Sequence, residues 1–518
     1  MQVFEYLLIL LVCAVGLTSI ARRVGIPYPS LLALGGTALA LLPNAPKFTL
    51  DPALMLALFV APVLLDAAFD TSLRDLKRSW IPVTCLVIIA VGITTASVAL
   101  LARVLIPEMP WGAAIALGAI VAPPDAAAAT AVLRQLKLPQ RMLTILEGES
   151  LLNDASALII YRLAVSAVMV DGFSTQNGFH QAIIVLASVP VAYVLARITS
   201  ALLGSMSDAP SSIVIQFVTT FGVWILADRL GLSAVVTVVA YAITLSRLSP
   251  GRTPASMRIP TYAVWETVVF VLNVLAFILI GLQLRPILGS LEPVQRVEYL
   301  KIAGLVLAIV VSVRIAWVFT YTYVAKLKTR FLGAGRWPGP GGPTSKSALV
   351  ISWCGMRGIV TLATAYALPT ATDTSPGFPY RDLILLCAFC VVVGTLVIQG
   401  LTLRPLISAL HLRDDRSVEN EVKLALQRIS KVALDEVGKD DSPTASALRE
   451  EYVALQQLAS EDGDLDSGSS SNPRHELRSR VVAAQRRAVV EMRDSGEIGD
   501  DAFHRIEERL DWNEISAR

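Results

Sequence analysis

Long apolar stretches separated by short polar loops occupy residues 1–412 of this chain. A membrane-spanning helix needs about 20 apolar residues, and the stretches predict about thirteen such helices. A bundle of helices is the expected architecture because it satisfies backbone hydrogen bonds inside a bilayer. The predicted spans lie near residues 2–21, 28–43, 51–71, 81–104, 111–133, 142–169, 178–205, 211–228, 232–246, 261–284, 299–325, 345–369 and 380–409.

The pattern changes near residue 413, where the apolar stretches give way to a charged segment that runs to residue 518. Apolar positions at helical spacing recur on both sides of a linker rich in serine and glycine. We therefore predict a transmembrane domain over 1–412 and a cytoplasmic helical tail over 413–518. The tail either regulates the membrane domain or stabilises an assembly, and the sequence leaves both roles open.

Composition and charge agree with this class of protein. Hydrophobic residues make up 54% of the chain, charged residues 17%, and the mean hydropathy is +0.60. The net charge of +2 gives no sign of nucleic-acid binding. Alternate loops are basic, so the positive-inside rule places the N-terminus outside and the tail in the cytoplasm. The basic residues of these loops include Arg22, Arg23, Arg74, Lys77, Arg78, Arg134, Lys137, Arg141, Arg247, Arg252, Arg258, Lys326, Lys328, Arg330, Arg336 and Lys346.

Several ionisable residues fall deep inside the predicted spans, where a charge costs several kcal/mol unless it is paired, protonated or bound to a cation. A structural ion pair or a misplaced helix end explains any one of them. Six together indicate a polar pathway through the bundle. They are Asp66, Asp125, Glu149, Asp154, Arg314 and Arg357.

The span 142–169 carries the densest polar cluster, Glu147-Gly-Glu-Ser-Leu-Leu-Asn-Asp154. Ser150 and Asp154 share one helical face, and Glu149 and Asn153 share the neighbouring face. The first pair offers oxygen ligands to a small cation, and the second offers a partner to a positive group. Burial raises the pKa of carboxyl groups in general, so a proton and a cation can compete for one carboxylate. Such competition, combined with alternating access, is sufficient for exchange.

Two spans look interrupted at membrane depth. One contains Val121-Ala-Pro-Pro-Asp125, where consecutive prolines remove amide donors, and the other contains Gly355-Met-Arg-Gly358. Paired broken helices are typical of inverted-repeat transporters, although two ordinary kinks remain the alternative. Asp125 and Arg357 have the right signs to neutralise the partial charges at half-helix ends.

These segments resemble the signatures of the monovalent cation/proton antiporters of the NhaP/NHE branch. The resemblance extends over about residues 1–412 and includes a helix-3 motif and a helix-10 motif. The matching segments are Pro62-Val-Leu-Leu-Asp66, Ala122-Pro-Pro-Asp-Ala126, Leu146-Glu-Gly-Glu-Ser-Leu-Leu-Asn-Asp154, Trp265-Glu266 with Asn273 and Gly281-Leu-Gln283, and Trp353-Cys-Gly-Met-Arg-Gly358.

The resemblance implies an all-α fold of thirteen transmembrane helices, with two inverted six-helix repeats whose unwound helices 5 and 12 cross. It also implies a homodimer in a bacterial inner membrane and an elevator-like movement that exchanges Na⁺, or K⁺ or Li⁺, for H⁺. No organic cofactor is expected.

Roles for individual residues follow from the same resemblance. Asp154 would take either the proton or the cation, and Ser150, Asp66 and main-chain carbonyls around Pro124 would complete the cation site. Asn153 stands where electrogenic relatives have a second aspartate, which implies one-for-one electroneutral exchange. Glu149 would form a structural ion pair with Arg314. Asp125 and Arg357 would stabilise the crossover and, together with Asn153, would be essential for transport.

Two positions depart from the common family pattern. Pro124-Asp125-Ala126 replaces Thr-Asp-Pro, and Asp66 replaces a glutamate. Both bear on which monovalent cation is preferred.

Other classes of function fit the sequence less well. A metalloenzyme needs histidine ligands, but the four histidines lie at span ends or in the tail. An aspartyl protease built on Asp125 and Asp154 would leave Glu149 and Asn153 unexplained. Another ion-coupled solute transporter or a channel is the alternative that stays open.

Overall fold

The computed structural model describes residues 2–42, 51–125, 138–169, 175–248, 255–332, 344–370 and 377–412, with isolated positions elsewhere. Every regular element in these ranges is helical. The first ten α-helices are α1 Gln2–Val24, α2 Tyr28–Ala40, α3 Pro52–Met55, α4 Ala61–Asp70, α5 Leu73–Arg78, α6 Trp80–Thr84, α7 Val91–Leu105, α8 Trp111–Val121, α9 Gln140–Met169 and α10 Thr175–Gly204. The others are α11 Ala209–Arg229, α12 Ala234–Leu248, α13 Ala255–Leu282, α14 Leu284–Gly289, α15 Pro293–Leu332, α16 Ser345–Trp353, α17 Ile359–Tyr366 and α18 Arg381–Leu410.

The fold is that of an all-α polytopic membrane protein, as the sequence predicts. In the described ranges, eight helical segments are long and apolar enough to cross a membrane, and α8 and α12 are shorter apolar helices. Within the described ranges, single helices or consecutive helical pieces follow the predicted spans. Most of the second half of the predicted span 111–133 lies outside the described residues. The total of thirteen crossings and the inverted repeats stay predictions.

The chain divides into two compact units, Met1–Asp414 and Asp415–Arg518. The candidate site lies entirely in the first unit. In the second unit the structure describes a short helical stretch at 431–435 and scattered positions. The tail helices expected from the sequence therefore lie largely outside the described residues.

Two predicted spans are not regular α-helices throughout. Leu56–Val60 joins α3 to α4 as a π-helical segment, here π1, and Cys85–Ala90 joins α6 to α7 as π2. Both segments lie inside the predicted spans 51–71 and 81–104, where the apolar pattern predicts helices but does not distinguish π from α geometry. A π segment bonds each amide to a carbonyl five residues back, so it shifts the ladder and re-aims nearby carbonyls.

Both predicted helix breaks are present. α8 ends at Val121, and Ala122 to Asp125 are non-helical because Pro123 and Pro124 cannot donate backbone hydrogen bonds. The second break separates α16 from α17, with Cys354 to Gly358 non-helical. The backbone amide of Asp125 donates to the carbonyl of Met356 at 2.7 Å, so the two breaks are in direct contact.

The breaks are enclosed by the most deeply packed helices. Nine of the eleven residues of α8 are buried, and α8 contacts α7, α9, α17 and α18. α8 therefore has no polar face, which fits a helix surrounded by protein on all sides. Irregular backbone at membrane depth is tolerated only in such surroundings or beside a cavity.

Candidate functional site

The polar residues of α9 are buried near the middle of that helix. Glu149, Asn153 and Asp154 are 2%, 0% and 8% exposed, and Ser150 is half-buried. Glu149 and Asn153 lie one helical turn apart on the same face. α9 thus presents two carboxylates and an amide to the interior of the bundle.

Glu149 forms a two-pronged ion pair with Arg314 of α15. The Arg314 Nη1 and Nη2 atoms donate to Oε1 and Oε2 of Glu149 at 2.5 and 2.9 Å. Arg314 also donates to the carbonyls of Ser352 and Ile351 at 3.2 and 3.1 Å. Those carbonyls belong to the last turn of α16, where the helix dipole is negative. One guanidinium therefore joins α9, α15 and the end of a broken helix.

Arg357 binds the C-terminal end of α8, which is part of the other broken helix. It is 1% exposed, and its Nε and Nη2 atoms donate to the carbonyls of Val121 and Ala122 at 3.1 and 3.2 Å. Its Nη1 atom also contacts the carbonyl of Gly355. The positive charge of Arg357 thus lies at the negative C-terminal end of α8, where carbonyls have no helical partner.

Asp125 lies at the N-terminal end of α17, the second piece of the other broken helix. A Cβ atom at position 358 would overlap with the Asp125 carboxylate, so the side chain rests directly on Gly358. Gly358 precedes α17, whose first amides carry partial positive charge. The missing side chain of Gly358 is what allows the carboxylate to approach this helix start.

Asn153 connects α9 to the first break. Its Nδ2 atom donates to the carbonyl of Pro124 at 2.7 Å. Its Oδ1 atom is buried and has no hydrogen-bond partner among the described residues. A buried amide oxygen without a donor is expensive in low dielectric, so this atom is a place where a water or an ion would be stabilised.

The Asp154 carboxylate makes no hydrogen bond or ion pair within the described ranges. It borders a void of about 10 Å³ between α8, α9 and α17, which is close to the volume that one water needs. The void is lined by Ala119, Ile120, Pro123, Asp154, Ala157, Leu158, Tyr161, Val360 and Thr364. A carboxylate without an ion-pair partner in the described ranges therefore lies where α8 and α17, one piece of each broken helix, meet.

Asp66 and Ser150 are not among the residues that line this void in the described part of the chain. Asp66 is half-buried on α4, which contacts both α9 and α12. Asp66 and Ser150 each take part in interactions of their own. The Pro124 carbonyl faces Asn153 and retains a second lone pair.

The profile described as "Sodium/hydrogen exchanger, transmembrane" matches residues 7–409, which include every candidate site residue. The chain belongs to the sodium/hydrogen exchanger family.

Relatives cover nearly the whole exchanger chain. An uncharacterized Na(+)/H(+) exchanger of Mycobacterium bovis is 30% identical over 530 residues, covering 96% of this chain and 93% of the relative. The sodium, potassium, lithium and rubidium/H(+) antiporter of Bacillus subtilis is 28% identical, covering 99% and 78%. The structure of the sodium proton antiporter MjNhaP1 from Methanocaldococcus jannaschii shares the fold, with a TM-score of 0.58, 19% identity and coverage of 77% and 99%.

Some parts of the exchanger site have no signal in the sequence. The Ser156 hydroxyl donates to the carbonyl of Val87 in π2 at 2.6 Å, which links α9 to that segment. A serine two residues beyond Asp154 has no distinctive spacing, and a π segment is invisible to hydrophobic periodicity. Arg357 stands out in the sequence by its depth and Asn153 by its place in the Glu147–Asp154 cluster, but the carbonyls that they bind cannot be named from the sequence.

Proposed function

We propose that this family member is a secondary-active antiporter that exchanges Na⁺, or K⁺ or Li⁺, for H⁺ across the membrane. The observation that carries the proposal is the buried Asp154 carboxylate, which lacks an ion-pair partner in the described ranges and lies beside a void where two broken helices meet. The printed names of relatives, among them a sodium, potassium, lithium and rubidium/H(+) antiporter, support the same activity.

Asp154 would be shared between the two substrates. A buried carboxylate is stable when a proton or a cation neutralises it, and one carboxylate cannot bind both at full strength. Cation entry would therefore release the proton from Asp154, and protonation on the other side would release the cation. Ser150, Asp66 and the main chain at Pro124 would complete the oxygen ligands after a local rearrangement, since small cations prefer several oxygen atoms.

Stoichiometry would follow from the neutral partner of Asp154. Asn153 is an amide bonded to the Pro124 carbonyl and does not titrate. Asp154 is then the only member of the Asn153-Asp154 pair that can change its charge in a cycle. We infer one cation exchanged for one proton, without net charge movement.

The surrounding charges would hold the site in shape while it moves. Three contacts fix the two breaks relative to α9. They are the ion pair of Glu149 with Arg314, the binding of Arg357 to the end of α8, and the approach of Asp125 to the start of α17. A rigid group of helices suits an elevator-like movement against a second group, in a homodimer.

Orientation is inferred from the basic loops. They favour an external N-terminus and a cytoplasmic tail in a bacterial inner membrane. α9 would then run from the cytoplasm at Gln140 to the outside at Met169.

Proteoliposomes with an imposed pH gradient test the proposal. Addition of Na⁺, K⁺ or Li⁺ should trigger proton efflux, and clamping the membrane potential should leave the rate unchanged. Protein-free liposomes serve as the control. Efflux driven by the potential would contradict the one-for-one stoichiometry. Absence of a response to any of these cations would favour a different ion-coupled transporter or a channel.

A further inference from the structure

A cavity of about 700 Å³ lies beyond Asp154, toward the C-terminal half of α9. Helices α9 to α12, the α3–π1 segment and the end of α17 contribute to its wall. Asp228 and Arg229 are exposed and line it, so the cavity reaches the surface of the protein. In the orientation proposed above, this is the external side.

Three residues line both the large cavity and the small void at Asp154. They are Leu158, Tyr161 and Thr364. Leu158 and Tyr161 follow Asp154 at helical spacings of four and seven residues, which places them on its face, about 6 and 10 Å along α9. Thr364 faces them from α17. These side chains form the partition between the bulk-connected cavity and the carboxylate.

Tyr161 is the part of the partition best suited to move. It has the largest side chain of the three and is 8% exposed. Its hydroxyl makes no hydrogen bond to the described residues, whereas the Thr364 hydroxyl is held by the carbonyl of Val360 at 2.7 Å. Rotation of the Tyr161 ring breaks no hydrogen bond to the described residues, and the adjacent cavity of about 700 Å³ offers the ring space to enter.

We propose that Tyr161 is the gate between this cavity and Asp154. The ring closes the passage, and its rotation into the cavity admits the cation and water to the carboxylate. Tyr161 is therefore a gating residue for the exchange cycle, and this role rests on the proposed antiport function. Arg162, beside it on α9, lines the cavity but not the void, so a fixed positive charge lies outside the closed gate.

Thiol accessibility tests the gate independently of transport. Ala157 lines the void but not the cavity, so Ala157→Cys places a thiol behind the gate. The background replaces Cys13, Cys85, Cys354, Cys387 and Cys390 with alanine. Membrane vesicles of both orientations are treated with a membrane-impermeant methanethiosulfonate reagent, and the modification rate is measured.

Adding Tyr161→Ala should raise that rate by at least about tenfold from one side of the membrane, equivalent to about 1.4 kcal/mol of lost barrier. Tyr161→Phe should keep the slow rate because the ring remains. Val165→Ala is the matched control, since Val165 lines the cavity but not the void. A thiol from Val165→Cys should react rapidly with or without Tyr161→Ala, which checks that the cavity itself is intact.

Transport separates failure of the gate from failure of the function. Tyr161→Ala should let cations leak without matching proton movement, while Tyr161→Phe should keep coupled exchange. If exchange occurs in the unaltered protein but Tyr161→Ala changes neither thiol reactivity nor coupling, the gate is wrong and the antiport proposal stands. If the thiol rate rises but no cation drives protons in any variant, the passage is gated by Tyr161 and the antiport proposal is wrong.

Discussion

Glu149 and Asp154 lie five residues apart on one helix and are both buried, but they differ in their hydrogen-bond partners. Glu149 receives two hydrogen bonds from Arg314, whereas Asp154 receives none from the described residues. The first charge is neutralised permanently by the protein. The second carboxylate has no such partner in the described ranges. The difference separates a structural ion pair from the position that we propose as the exchange site on the same helix.

The energetics of the two carboxylates differ accordingly. Removing one partner of a buried ion pair leaves an uncompensated charge, which costs about 3–5 kcal/mol. Removing a lone buried carboxylate relieves the burial of charge instead. A change at Glu149 should therefore mainly lower stability, whereas a change at Asp154 should mainly abolish transport.

The largest expected effect is on transport by Asp154→Asn. This change should abolish cation-driven proton movement, because no group remains to alternate between proton and cation. Thermal unfolding in detergent should be unchanged or shifted upward. Asp228→Asn, at an exposed edge of the large cavity, is the control and should retain exchange. Full cation-dependent proton movement by Asp154→Asn would refute the shared-carboxylate mechanism.

Glu149→Ala should act mainly on stability. Arg314 would be left buried and partly unpaired, with an expected loss of about 3–5 kcal/mol in the free energy of unfolding. The double variant Glu149→Met with Arg314→Met should recover much of that loss, since apolar residues often replace a buried ion pair without penalty. Chemical denaturation in detergent measures both, and equal losses in the single and double variants would contradict the pairing argument.

Ser156→Ala should have the smallest effect. It removes one hydrogen bond to the Val87 carbonyl, and such bonds between membrane helices contribute about 0.6 kcal/mol on average. We expect a slightly lower unfolding midpoint with exchange retained. Thr267→Ala is the comparison, because that exposed hydroxyl bonds only within its own helix. Loss of exchange at unchanged stability would show that π2 takes part in the cycle.

The sequence predicted the helical bundle and both breaks because apolar length, consecutive prolines and glycine pairs act locally. It also named Glu149 and Arg314 as partners through the family resemblance, and the structure brings them into contact. Buried charges of opposite sign have few alternatives at membrane depth, which makes such pairs easier to anticipate than most contacts.

Other features depend on three-dimensional packing that no local pattern carries. The π segments keep the same apolar character as the α-helices around them. The carbonyls bound by Arg357 are backbone atoms and leave no trace in residue identity. Tyr161 looks like an ordinary aromatic residue until the cavity and the void on its two sides are known.

The capping of α8 by Arg357 has a consequence for biogenesis. Val121 and Ala122 precede their partner by 236 and 235 residues. At ordinary rates of translation, about 12 to 50 seconds separate their synthesis from that of Arg357. During that interval the guanidinium that binds these two carbonyls in the folded protein does not yet exist. A nascent chain that stops before Arg357 should be a preferred target of membrane quality control.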